Sequence, residues 1–206
     1  MTSPPVSSTQ ELAVLELAGQ RPMLRARDLQ EHSLPTVVLT RLVAAGKLVR
    51  VARGVYSLPT RKAGEFSSLA EVCLRVPHGV ICLLSALRVH GLGTQAPFEV
   101  WLALPSQWPA PRLEHPAVRV VRMSDQALRE GIEPLLVDGV SVPVFNAEKT
   151  VADCFKYRNK IGLDVALEAL RDGWTQQKLA MDALWHYAGV NRVANVMRPY
   201  VESIAI

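Results

Sequence analysis

The sequence predicts an α+β fold with two domains, and three observations support this prediction. Helical periodicity dominates the first 45 residues, short β-branched and aromatic runs follow, and both patterns return after a polar segment at 59–65. Of the 206 residues, 49% are hydrophobic and 20% are charged, which is ample material for a packed core. We therefore expect a small domain over residues 1–62 and a larger one over 63–206.

The N-terminal third has the order of elements of a winged helix-turn-helix. Its predicted elements are helices at 9–18, 24–32 and 35–45 and strands at 48–52 and 55–58. Pro35 suits the first turn of the third helix, and Gly46 is a good left-handed residue to end it. Arg53-Gly54 suits the turn between the two strands. Three helices followed by a two-stranded ribbon make a winged helix.

The remaining residues predict a mixed α+β domain with a small sheet and several helices. Asp138-Gly139 lies between two apolar runs within 132–145 and is a strong hairpin signal. Asn146 is a good N-cap for the helix that follows. Gly91 is a good C-cap for an earlier helix. The other predicted elements are strands at 98–104 and 117–123 and helices at 66–76, 80–90, 146–158, 163–172, 178–188 and 191–203.

The excess positive charge of the chain lies at its N-terminal end. The net charge is +4, and residues 1–62 hold nine Lys/Arg against four Asp/Glu, whereas the rest holds 14 against 15. Such a concentration of cations is expected in a domain that contacts phosphates. A basic face that is merely solvated is the alternative interpretation.

The predicted third helix and ribbon carry the side chains that a DNA-binding surface needs. The face opposite the apolar Leu39 and Leu42 has short residues, which let a helix enter the major groove. Arginines at a wing tip can reach phosphates or the minor groove. An ordinary helix surface, and charges that keep a strand edge soluble, are the alternatives. The candidate DNA-binding residues are Arg25 and Arg27 at the start of the second helix, then Thr36, Val37, Thr40, Arg41, Lys47, Arg50, Arg53 and Gly54.

The sequence has no pattern that indicates catalysis, a metal site or a cofactor. The three cysteines lack the spacing of a disulfide framework or a zinc site, and the five histidines lack ligand spacing. Phosphate-binding glycine motifs and paired carboxylates on a predicted strand are also missing. We therefore expect a protein that is not an enzyme, in a reducing cytoplasm, without a signal peptide or transmembrane helix.

Residues 42–59 resemble the end of the winged helix in the AbiEi family of antitoxins. The matching pattern is L-x-x-x-G-x-L-x-R-x-x-R-G-x-Y, and segments 85–92, 145–154 and 156–171 are also similar to the family. The resemblance covers roughly residues 10–175. The residues that carry the pattern are Leu42, Gly46, Leu48, Arg50, Arg53, Gly54 and Tyr56.

The resemblance implies the antitoxin of a type IV toxin–antitoxin system. Such proteins bind inverted repeats in their own promoter through the winged helix and repress the operon. Their C-terminal domain counters a toxin that resembles nucleotidyltransferases. The implied partners are double-stranded promoter DNA and such a toxin, but no membrane, with the chain as a monomer or homodimer. A stand-alone transcriptional regulator without a toxin, and a DNA-modifying enzyme, are the alternatives; the missing carboxylate cluster argues against the enzyme.

Overall fold

The structure is a computed structural model that describes residues 6–21, 23–61 and 64–204. Its contacts divide the chain into two compact units, Met1–Arg75 with Leu136–Ser141, and Val76–Leu135 with Val142–Ile206. The predicted α+β class is confirmed, with helices and two sheets along the chain. The units differ in their limits from the predicted domains, 1–62 and 63–206, which stay a prediction.

The N-terminal unit is a helical bundle with a small antiparallel sheet. The strands pair in the order β1-β3-β2, so that β3 lies in the middle. Leu24, Leu29, Leu39 and Leu42 are fully buried, because apolar residues of the sheet and helices face one shared interior. The elements are α1 (Val6–Gln20), β1 (Leu24–Arg25), α2 (Asp28–Glu31), α3 (Val37–Ala44), β2 (Val49–Ala52), β3 (Val55–Ser57) and α4 (Ser67–Arg75).

The predicted second helix, 24–32, is wrong in its first half. Leu24 and Arg25 form β1, which pairs antiparallel with Tyr56 and Val55 of β3. A two-residue strand has no periodicity of its own, so its conformation is decided by partners 32 and 30 residues away in sequence. The helix itself is short and covers Asp28–Glu31 only.

The C-terminal unit combines helices that share one core with a five-stranded mixed sheet, of which residues 136–141 belong to the N-terminal unit. The strand order is β6-β5-β4-β8-β7, with β4 antiparallel to β5 and parallel to β8. The elements are β4 (Val80–Ile81), α5 (Leu83–His90), β5 (Val100–Pro105), β6 (Val118–Met123), α6 (Asp125–Arg129), β7 (Ile132–Val137), β8 (Val140–Phe145), α7 (Ala147–Lys156), α8 (Arg158–Ile161), α9 (Leu163–Thr175), α10 (Met181–Val190) and α11 (Ala194–Ile204).

Two local signals in residues 138–146 are confirmed, whereas the predicted start of an earlier helix is wrong. Asp138-Gly139 is the turn between β7 and β8, and both residues have positive φ, at 52° and 75°. Asn146 caps α7, since its side chain accepts a hydrogen bond from the Lys149 amide at 2.9 Å. The helix predicted at 80–90 begins only at Leu83, because residues 80–81 form β4. Within the described ranges, no helix combines the length and apolar character needed to cross a bilayer.

Helix α7 lies in the core and holds a buried ion pair. The side chains of Lys149 and Asp153 have 0% exposure, and the Lys149 Nζ donates to both carboxylate oxygens at 2.6 Å. The Asn191 amide donates to Asp153 Oδ1, also at 2.6 Å. Burial raises the pKa of the Asp153 carboxyl, against the opposing effect of the Lys149 charge. Segment 145–154, which resembles the antitoxin family, therefore builds the interior of this unit.

The three cysteine thiols, Cys73, Cys82 and Cys154, are all free and buried. Burial raises the pKa of Cys73 to about 12 and raises the pKa of the other two thiols as well. Since the thiolate is the reactive form, we expect the native protein at pH 8 to react negligibly with a thiol reagent such as DTNB. Three thiols should react per chain in denaturant; rapid labelling of a native thiol would contradict the burial described.

Candidate nucleic-acid interface

Helix α3 buries one face and exposes the other, as its sequence pattern predicts. Val38, Leu39 and Leu42 are at most 1% exposed and pack into the core of the N-terminal unit. The opposite face presents hydroxyl and methyl groups on short side chains, which let the helix approach a groove floor, and one guanidinium. Its exposed residues are Thr36, directly before the helix, and Val37, Thr40, Arg41 and Ala44.

Val37 is the clearest apolar group on that face, with 53% of its surface exposed. An exposed apolar side chain gains from burial against another apolar surface. The thymine methyl group is the apolar feature of the major groove. Thr36 and Thr40 are exposed beside it and supply hydroxyl groups for phosphates or base edges. The outer face of α3 thus offers contacts of both kinds that groove recognition needs.

The β2–β3 hairpin places arginine side chains in solvent, one on β2 and one in the turn. Arg50 and Arg53 are exposed, and Gly54 takes a φ of +72°, which residues other than glycine rarely adopt. The Gly54 carbonyl accepts a hydrogen bond from the Ala26 amide at 2.8 Å, so the turn is held against the end of β1. Lys47, between α3 and β2, is exposed and pairs with Glu11 at 3.8 Å. Such an exposed pair is weak, so Lys47 can exchange Glu11 for a phosphate at little cost.

Arg25 lies elsewhere than the sequence predicts, whereas Arg27 lies at the start of the second helix, as expected. Arg25 ends β1 rather than starting a helix, and its Nη2 donates to the Gly139 carbonyl at 2.7 Å. Arg27 directly precedes α2 and is exposed. The structure therefore gives the Arg25 guanidinium a protein partner, and its contact with DNA stays a prediction.

Sequence reasoning missed two carboxylates that organise this unit. Asp28 is buried; its Oδ2 accepts the Arg25 amide at 2.8 Å and lies 3.5 Å from Arg21 Nη1. Asp138 accepts a hydrogen bond from the Ser67 hydroxyl at 2.6 Å. The signal for Asp28 was its position at the first turn of a helix, where a carboxylate is favoured. Nothing local indicates the second bond, because it joins residues 71 positions apart.

The chain was compared with curated proteins, with solved structures and with protein families. None of the curated proteins matches the chain. Among solved structures, the chain is similar to the crystal structure of the RV2827C protein from Mycobacterium tuberculosis, with a TM-score of 0.60 and 16% sequence identity. That similarity covers 92% of this chain and 73% of the other, and at this identity it concerns the fold alone. The resemblance inferred from the sequence is confirmed for the N-terminal region: residues 13–59 match the family described as "Transcriptional regulator, AbiEi antitoxin".

Proposed function

We propose that this chain is a DNA-binding transcriptional repressor that also serves as the antitoxin of a type IV toxin–antitoxin system. Two observations carry the proposal: the outer face of α3 is exposed, and so are Arg50 and Arg53 of the β-hairpin that follows it in the chain. In a winged helix, such a helix enters the major groove while the adjacent ribbon reaches the sugar-phosphate backbone or the minor groove. The family match over 13–59, which includes both elements, supports the same function.

The proposed target is an inverted repeat upstream of the chain's own gene. One copy of the chain offers one α3, so a two-fold repeat would be bound by two copies, one to each half-site. Thr36, Val37 and Thr40 would contact bases or phosphates in the major groove. Arg41, Lys47, Arg50 and Arg53 would supply most of the sequence-independent affinity through phosphates.

We propose that the chain works by binding and not by catalysis. The chemistry of three groups in the C-terminal unit supports this, because one buried carboxylate and two thiols are engaged in its interior. The Asp153 carboxylate is held by Lys149 and Asn191, and the thiols of Cys82 and Cys154 are buried and protonated. The antitoxin activity would then require a partner that the C-terminal unit counters, and the proposed partner is a nucleotidyltransferase-like toxin.

A salt titration tests the DNA-binding part of the proposal. The protein is titrated against a labelled duplex from the region upstream of its gene, with a scrambled duplex of equal length as the control. If four cations each neutralise one phosphate, log K should fall with log salt with a slope of about −3.6 per protomer. Tighter binding to the upstream duplex is expected at every salt concentration. A flat salt response, or no binding, would exclude this function.

A growth experiment tests the antitoxin part separately. The chain is co-expressed with the product of the neighbouring gene, and growth is compared with that of cells expressing the neighbouring gene alone. Restored growth is the expected result. If growth stays arrested while the upstream duplex is still bound, the chain is a transcriptional regulator without an antitoxin role.

A further inference from the structure

Strand β2 carries an irregularity beside the proposed DNA contacts. It is an edge strand, since the sheet order is β1-β3-β2, and its register against β3 shifts between Arg50 and Ala52. The extra residue at this bulge is Val51. A bulge leaves one residue without its partners in the ladder and bends the strand locally. The direction in which the following turn points therefore depends on what holds Val51.

Arg75, the last residue of α4, holds this bulge. Its Nε and Nη2 donate to the Val51 carbonyl at 3.1 and 2.8 Å. Glu71, one helical turn earlier, forms an ion pair with the same guanidinium. Two donors of a planar fork on one oxygen fix the angle of approach as well as the distance, which a single ammonium donor does not do. The end of α4 is thus fastened to the outer edge of β2.

We propose that Arg75 is a positioning residue for DNA binding, on the assumption that the proposed function is correct. By fixing the Val51 carbonyl it fixes the bulge, and the bulge sets where the neighbouring Arg50 and Arg53 project. If the β2–β3 hairpin, the proposed wing, is ordered before binding, it loses less conformational entropy when it contacts the DNA. Arg75 lies outside the matched region 13–59 and beyond the predicted domain limit at residue 62, so neither assigns it a role.

The first experiment compares Arg75→Ala and Arg75→Lys with the unmodified protein on the upstream duplex. Arg75→Ala should weaken binding about tenfold and make the salt slope shallower by up to about 2, because two wing contacts become disordered. Arg75→Lys keeps the charge but loses the two-donor geometry, so it should recover only part of the affinity. Full recovery by lysine would show that charge alone matters and would overturn the proposal.

A double-variant comparison separates positioning from direct contact. In an Arg50→Ala/Arg53→Ala background the wing has no arginines left to position, so adding Arg75→Ala should change affinity less than twofold or so. An undiminished tenfold loss in that background would mean that Arg75 itself contacts DNA, contrary to the proposal. Arg129→Ala, which removes an exposed arginine at the end of α6, is the matched control for loss of one charge.

Hydrogen–deuterium exchange in the absence of DNA tests whether Arg75 holds β2 and the turn in place, independently of DNA binding. Arg75→Ala should speed exchange in β2 and the turn, residues 49–54, while α3 stays protected and the melting temperature stays close to that of Arg129→Ala. If Arg75→Ala speeds exchange but the protein never binds DNA, Arg75 still holds β2 and the turn in place, and the proposed function is wrong. Unchanged exchange and unchanged affinity, in a protein that does bind DNA, would defeat the positioning role alone.

Discussion

Replacing Arg41, Arg50 and Arg53 together with alanine is expected to weaken binding to the upstream duplex at least about 100-fold near physiological salt. Each arginine can make one base or phosphate contact of about 1–3 kcal/mol, and three such losses exceed the 2.7 kcal/mol or so that corresponds to this factor. All three side chains are exposed, on α3, on β2 and in the β2–β3 turn, so the substitutions leave the core intact. The measurement is a gel-shift or anisotropy titration.

The control for this variant must remove the same charge elsewhere. Arg112, Arg129 and Arg171 are exposed arginines of the C-terminal unit, and their joint replacement with alanine also lowers the net charge by three. Because screening confines electrostatic effects to about 8–10 Å, this control should lose less than about tenfold. Equal losses of affinity in the two variants would mean that the effect comes from net charge and not from these three positions. An unchanged dissociation constant for the first variant would show that these arginines of α3 and the β2–β3 hairpin do not contact the DNA.

The elements of the proposed DNA interface could be predicted because their signals are local. Gly46 and Gly54 take positive φ where a helix ends and where a hairpin turns, and both requirements are visible in a few neighbouring residues. The apolar stripe of α3 likewise shows within eight residues which face is buried. The predicted exposure of Thr36, Val37, Thr40 and Arg41 follows from that stripe alone.

What could not be predicted depends on residues far apart in sequence. Strand β1 exists because Leu24 pairs with Tyr56, and Arg25 is tied to a carbonyl 114 residues away. The role of Val51 depends on Arg75, across a predicted domain limit. In each case a backbone group or a short segment takes its conformation from a distant partner, and periodicity carries no information about that partner.

Lys149 shows the same limit within a single helix. A lysine and an aspartate four residues apart ordinarily indicate an exposed i,i+4 pair on a helix surface. Here α7 is surrounded by the core, and both side chains are buried with the amide of Asn191 as their third member. A signal was present in the apolar residues on both sides of the pair, because Val151, Ala152, Cys154 and Phe155 leave the helix no wide polar face.

Lys149→Met is therefore expected to destabilise the protein by about 3–5 kcal/mol near neutral pH, because it leaves the Asp153 carboxylate buried without its cation. The folded-state pKa of Asp153 is raised already and rises further without Lys149. A folded protein that holds this proton more tightly than the unfolded chain loses stability as pH rises from the unfolded pKa to the folded one. The cost should thus be larger at pH 8 than at pH 5, as measured by urea unfolding at both values.

A second substitution separates the unpaired charge from ordinary loss of packing. Lys149→Met combined with Asp153→Leu removes both charges, so part of the lost stability should return and the double variant should be more stable than Lys149→Met alone. The remainder, about 1–3 kcal/mol, comes from the Asn191 amide, which loses its acceptor in the core. Lys160→Met, at an exposed lysine in α8, should change stability by no more than about 1 kcal/mol. If Lys149→Met behaved like this control, Lys149 would have to reach water in the folded protein, and α7 would not be a buried helix.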